Sequence, residues 1–275
     1  MAGNAAKRLP RPANVALLLL FQLLQNCAAP VQGFAPPSMQ ILPGFGPPSP
    51  GVILSRVAEV GLKLKLARHR GVAVDVTASP AKILAGGVEG VQVSGKLWAS
   101  PGKLTCKQLD VQVGETVIDI PQLLSPFSPQ IVMKVPARGT AAIVFDPADW
   151  GNFLVHELVG KAQLPQGEFR FSRAGASIDA ARQCALFSGE WRGEQVQLEL
   201  SQSRQGGEVS VREAGKVDGE GELCGALAAW FQDLDVNLDG AHFFLEEIRF
   251  GAPNLVRLKL NVRVDRFPNP ITTSF

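Results

Sequence analysis

No stretch of this sequence carries a familiar catalytic signature. It has no GxSxG elbow, no HExxH, no P-loop and no GxGxxG turn, so the usual templates for acyl transfer, zinc-assisted hydrolysis and nucleotide binding are missing. No CxxC or His–Cys spacing suits a metal. After Cys27 only Cys106, Cys184 and Cys224 follow; they admit one disulfide at most, and three buried thiols are the expectation. The apolar run VALLLLFQLL (15–24) falls short of the about 20 residues of a membrane-spanning helix. Tyrosine is absent, for which the sequence offers no physical reason, and phenylalanine supplies most of the aromatics. A basic excess is missing too. The formal charge of +2 includes Lys7, Arg8 and Arg11, and falls to −1 without those three, which argues against a nucleic-acid binder.

What is present is a globular composition. Of 275 residues, 46% are hydrophobic and 19% charged, enough for one large domain or two small ones. The first segment reads as a leader. Lys7, Arg8 and Arg11 precede the short apolar run, and Val31 and Gly33 are small enough for the −3 and −1 positions of a cleavage site. A signal peptide over 1–33 is therefore expected, with Phe34 first after the cut. Residues 34–50, FAPPSMQILPGFGPPSP, are too proline-rich to pack as helix or strand. A signal peptide followed by Phe-Ala-Pro resembles the bipartite plastid leader of algae with complex plastids. The alternative is a secreted protein with a Pro-rich linker.

Residues 51–70 have helical periodicity, with Ile53, Leu54, Val57, Val60, Gly61 and Leu64 at helical spacing and Arg56, Lys63, Arg68 and Arg70 on other sides. Such a helix either lies on an anionic membrane surface or packs on a core with a solvated back. Strand patterns then dominate: 72–76, 88–99, 104–114, 116–120 and 131–145, with a single helical turn at 79–87. The second half looks similar, with strands at 168–175, 176–180, 185–191, 195–202 and 208–215, a helix at 221–234, and strands at 236–240, 243–251 and 254–264. Each strand has one polar face, so half-covered antiparallel sheets are expected. The class is α+β, with two similar halves of meandering strands plus a helix.

The most chemical-looking stretch is FDPADWGNFLVHEL (145–158). Asp146 before Pro147, with Asp149 three residues on, makes a strong helix start. Trp150, Phe153, Leu154 and Leu158 form one apolar face. On the same helical count Asp149 and His156 share a flank, too few for a metal site. Capping explains both aspartates and surface exposure explains His156. His69 and His242 read as surface or structural, and Glu246 and Glu247 as alternating across a strand, so no acid/base pair converges.

The order of residues over 71–124 is similar to the LmeA-like phospholipid-binding family. The matching positions are Ser79, Pro80, Ile83, Leu84, Gly86, Val88, Val91, Leu104, Leu109, Val117, Asp119 and Leu124. Its next segment is matched by Pro136, Gly139, Ala141, Val144, Asp149, Trp150, Phe153 and Leu154, and its close by Val264, Phe267 and Pro268. The resemblance, to a plastid-type algal member, covers nearly all of 51–268 and leaves 269–275 as a tail. It implies a tubular-lipid-binding-like fold, long curved antiparallel strands wrapped on helices around an apolar pocket, with no enzymatic activity and no cofactor.

The expected function is therefore binding or transfer of a phospholipid or glycolipid. The candidates for pocket or mouth are Leu62, Leu64, Trp150, Phe153, Leu154, Trp230, Phe231 and Leu234. Lys63, Lys65, Arg68 and Arg70 are the candidates for an anionic head group or membrane surface. The alternative is a membrane-associated scaffold that meets a protein partner.

Overall fold

The computed structural model describes residues 49–119, 132–202, 207–215, 221–238, 240–251 and 253–266. The leader, most of the Pro-rich segment and the C-terminal tail lie outside these residues. Helix α1 spans Pro50–Lys65, so Pro50 begins it instead of ending the Pro-rich segment. This suits proline, whose missing N–H is not needed in a first turn. Strand β1 (Arg68–Thr77) follows. The 51–70 helix is thus shorter than expected. At Ala67 the backbone N–H is captured by the Ala99 carbonyl at 2.8 Å, which starts strand pairing and turns Arg68 and Arg70 into strand residues.

Helix α2 (Pro80–Leu84) is capped by the Ser79 hydroxyl. Strands β2 (Gly87–Val88), β3 (Gly90–Ala99), β4 (Thr105–Val113), β5 (Thr116–Ile118) and β6 (Val132–Phe145) follow, then helix α3 (Pro147–Val155). Strands β7 (Lys161–Leu164), β8 (Gly167–Asp179), β9 (Cys184–Trp191), β10 (Glu194–Gln202) and β11 (Val209–Glu213) lead to helix α4 (Glu222–Gln232). Strands β12 (Asp235–Leu238), β13 (Ala241–Gly251) and β14 (Leu255–Arg266) close the fold. The segments 168–175 and 176–180 are one strand, β8, interrupted by a register shift between Ser172 and Ser177 with Gly175 at φ 80°.

The class is α+β, and every described strand pair is antiparallel. The larger sheet, curled into a half-barrel, runs β1-β3-β4-β6-β14-β13-β12, with β5 joining β2 to β6; the smaller runs β11-β10-β9-β8-β7. The expected pair of similar halves is not how the chain is arranged. Strands from the second half, β12 to β14, return to the larger sheet, where β14 pairs with β6 over nearly its whole length. Long apolar alternation explains this return. Val256, Leu258, Leu260, Val262 and Val264 are all buried at 5% exposure or less, and an edge strand of the smaller sheet would leave such a face too open.

Helices α3 and α4 form the layer between the sheets. Helix α3 packs on β8 of the smaller sheet and on β4, β6 and β14 of the larger; α4 packs on β11, β7 and β13. Each helix buries an apolar face, and β8 to β11 add Phe169, Phe171, Phe187, Leu198, Leu200 and Val211 from below. One contiguous core results.

Candidate functional site

Helix α3 starts as its sequence dictates. Asp146 accepts from the Asp149 N–H at 2.9 Å, and the Asp149 carboxylate faces the Asp146 N–H in return, completing a capping box with Pro147 at the first position. The second Asp149 oxygen accepts from the Thr105 hydroxyl at 2.6 Å, and Asn152 donates to that same hydroxyl oxygen at 2.8 Å. This chain of bonds ties α3 to β4. Burial pushes the Asp149 carboxyl above its usual range, although the Thr105 bond works the other way.

The helix ends one turn earlier than the apolar pattern suggests. His156 is extended, with ψ 145°, and serves as the C-cap. The helical count that paired it with Asp149 therefore fails at that point, as does the expectation of an exposed imidazole: His156 is 6% exposed. Its Nδ1 accepts from the Leu158 N–H at 3.4 Å, and burial lowers its basicity. Glu157 lies beyond the helix and is exposed.

The eight pocket candidates fall into three places. Trp150, Phe153 and Leu154 are 1%, 6% and 0% exposed, and Phe153 stacks on Phe145 at 5.2 Å and on Trp150 at 5.6 Å. Phe231 and Leu234 are likewise buried, and half-buried Trp230 meets Phe171 at 5.3 Å. These six side chains are covered by the protein's own core. Helices between two sheets supply the facing groups that an acyl chain would otherwise provide. Leu62 is half-buried against the core, whereas Leu64 is 82% exposed.

Helix α1 is the element the core does not absorb. Among its described side chains and glycines only Gly51 is buried. Val52, Val60 and Leu64 are exposed and fall on one ridge at intervals of four and eight residues, with exposed Arg56 in the same ridge. Lys63 pairs with Glu59, Lys65 is half-buried, and Arg68, His69 and Arg70 are exposed at the start of β1. No helix among the described residues is long and apolar enough to cross a membrane.

None of the eight candidates lines either of the following surface cavities among the described residues. One, of about 560 Å³, lies between the turn Pro101–Lys103, the C-terminal end of α3 at Asn152, Val155 and His156, and Arg173 of β8. Glu157 lines it as well. The other, of about 420 Å³, is a trough on the outer face of the larger sheet, floored by Ala142 and walled by Asp110, Glu247, Arg249, Arg257 and Lys259. A bulge between Leu245 and Glu247 sends both Glu246 and Glu247 to that outer face, in place of the expected alternation. There Glu246 pairs with Lys259 at 2.5 Å and Glu247 with Arg249 at 2.6 Å.

Two features had no signal in the sequence. Glu199 is 1% exposed yet sits on the outer face of β10, covered by Arg182 at 2.5 Å and by Arg212 at 3.1 Å. The convergence of Lys103, His156 and Arg173 is also invisible, because a turn, a helix end and a strand bulge supply one residue each. Cys106, Cys184 and Cys224 are buried and stand outside any disulfide; burial and the nearby Asp149 charge push Cys106 up to about 12, and burial with Glu199 pushes Cys184 up to about 11. No group of three or more metal-ligating side chains exists among the described residues. Comparison with family models, with curated proteins and with solved structures returned no match for the chain.

Proposed function

We propose that the protein is a non-enzymatic lipid-binding protein that works at a membrane surface, with α1 as its lipid-facing element. The observation that carries this reading is the exposed ridge of Val52, Val60 and Leu64 beside exposed Arg56, Arg68 and Arg70. Apolar side chains on a helix flanked by cations match the two layers of an anionic bilayer interface, acyl boundary and phosphate plane. The curled sheet with helices against it is consistent with a tubular-lipid-binding-like architecture and with the LmeA-like resemblance. The filled interior favours contact at the outside of α1 over an enclosed acyl tunnel. The leader fits delivery to a plastid, where anionic lipid surfaces are available.

Vesicle co-sedimentation tests the reading. The protein is expected to sediment with phosphatidylcholine vesicles only when phosphatidylglycerol is included, and to be released by high salt. The double variant Val60→Asp/Leu64→Asp should bind at least about tenfold more weakly, since each apolar side chain contributes on the order of 1.5–3 kcal/mol when removed from water. Failure of the wild-type chain to bind any vesicle overturns the proposal. A stoichiometric protein captured through the same ridge would then favour the scaffold role.

A further inference from the structure

The cavity at the end of α3 is lined by two cationic side chains, Lys103 and Arg173. Lys103 closes the β3–β4 turn, its N–H donating to the Ser100 carbonyl at 3.0 Å, and is held at φ 69°, a backbone state that a non-glycine residue adopts only where its surroundings impose it. Arg173 is fixed by α3: a Cβ on Gly151 would lie 3.4 Å from its Cγ, so the arginine stem runs across the one helical residue without a side chain. Neither Lys103 nor Arg173 has a carboxylate within ion-pair distance among the described residues.

His156 lines the same cavity. Its Nδ1 already accepts the Leu158 N–H, and burial keeps the ring neutral, so the single ring proton resides on Nε2. That Nε2 is buried and has no hydrogen-bond partner. Around one cavity, then, stand an ammonium and a guanidinium, with His156 in its wall; the one acid on its lining is the exposed Glu157. An acceptor-only, oxygen-rich anion fits this set, and a planar guanidinium beside a point-charge ammonium suits tetrahedral oxygens.

We infer that the cavity formed by Lys103, His156 and Arg173 binds a phosphate-bearing group. The group is either a lipid head group or a soluble phosphoester; the head-group source rests on the membrane reading above. Topology favours that source. The Ala67 N–H bond to Ala99 and the pairing of Arg68 with Ala99 put the α1–β1 junction at the end of β3, directly before the turn that carries Lys103. The cationic start of β1 and the cavity thus share one end of the larger sheet.

The test pairs two probes with two variants. Inorganic phosphate and glycerol 3-phosphate are titrated into the full chain while the backbone amides of Lys103, His156 and Arg173 are followed by NMR. Phosphatidylglycerol vesicles are used in parallel. Lys103→Gly relieves the left-handed backbone and removes the ammonium without harming the fold, and is combined with Arg173→Ala. Localised, saturable shifts with phosphate, weakened at least tenfold in the double variant, are expected. If vesicle binding weakens as well, the ligand is a head group. If phosphate binds and vesicles do not, the inference stands with a soluble phosphoester, and the membrane reading fails. If vesicles bind equally to wild type and double variant while phosphate moves no cavity amide, the inference is overturned and the membrane reading survives.

Discussion

The backbone N–H of Val76 donates to the Ser55 hydroxyl at 2.8 Å, and that hydroxyl in turn donates to the Gly51 carbonyl at 2.8 Å. This relay clips α1 to β1. It works only at close range, because a Cβ on Gly51 would meet the Val76 carbonyl oxygen at 2.6 Å. Gly51→Ala is therefore expected to lift the first turn of α1 off the strand. Ser55→Ala should do so more mildly, leaving a strand N–H unpaired at a cost of about 1–3 kcal/mol if it stays dry. Since α1 buries little, global unfolding should barely change in either variant. Hydrogen exchange over 50–66 should speed up locally instead. An equal loss of protection in β14 would refute the picture of α1 as a separately clipped element.

Phe153 is buried and stacks on both Phe145 and Trp150. Phe153→Ala should cost about 3–5 kcal/mol in urea unfolding, the usual penalty for removing a buried aromatic ring. The same variant discriminates between a core side chain and a lipid-lining one. A core role leaves vesicle binding at the wild-type level under conditions where the variant is folded. A matching loss of vesicle binding would return Phe153 to the lipid site.

Glu199 makes an asymmetric ion cluster. Its carboxylate is almost fully buried, whereas the Arg182 and Arg212 side chains remain 52% and 45% exposed. A guanidinium that loses the carboxylate can turn to water; the carboxylate cannot. Glu199→Leu, of similar volume, should therefore destabilise less than Arg182→Ala/Arg212→Ala, which strands the charge and should cost about 3–5 kcal/mol. Denaturant midpoints of the two variants decide the order, and the reverse order would mean that the cluster is held by something other than the buried charge.

Much of the fold is written in local pattern. The capping box at Asp146 and Asp149 and the alternation of β14 each depend on neighbours within a few residues, and the structure has them where the sequence puts them. What the pattern does not carry is partner choice. Nothing local tells β14 to pair with β6, and that pairing breaks the expected division into halves. An apolar helical face reads the same whether it meets protein or lipid, which is why Trp150 and Phe231 were plausible pocket residues and are core. His156 was misplaced for a sharper reason. The helix stops at Val155, and one extended residue turns an imidazole that helical geometry would have exposed into a buried one.

Asp149 and His156 pull stability in different directions with pH. Burial raises the Asp149 carboxyl in the folded chain, so folding favours its protonated form and stability falls as pH rises through the folded value. Asp149→Asn removes the charge and keeps one acceptor, for the Thr105 hydroxyl, while losing the one that faces the Asp146 N–H. Whatever that loss costs at every pH, the melting temperature of the variant should fall less than that of wild type as pH rises from about 4 to 7. His156 has the opposite profile. Burial lowers its pKa in the folded chain, so its contribution is complete above the unfolded value of about 6.5 and is lost as pH falls through the folded one. His156→Asn, which retains an acceptor for the Leu158 N–H, should flatten the acid-side decline between pH 7 and pH 5 that wild type shows. Thermal melts by circular dichroism at several pH values read both effects. Parallel pH profiles for His156→Asn and wild type would show that the imidazole is not held neutral by the fold, and the tautomer assigned to it in the cavity would fall with that result.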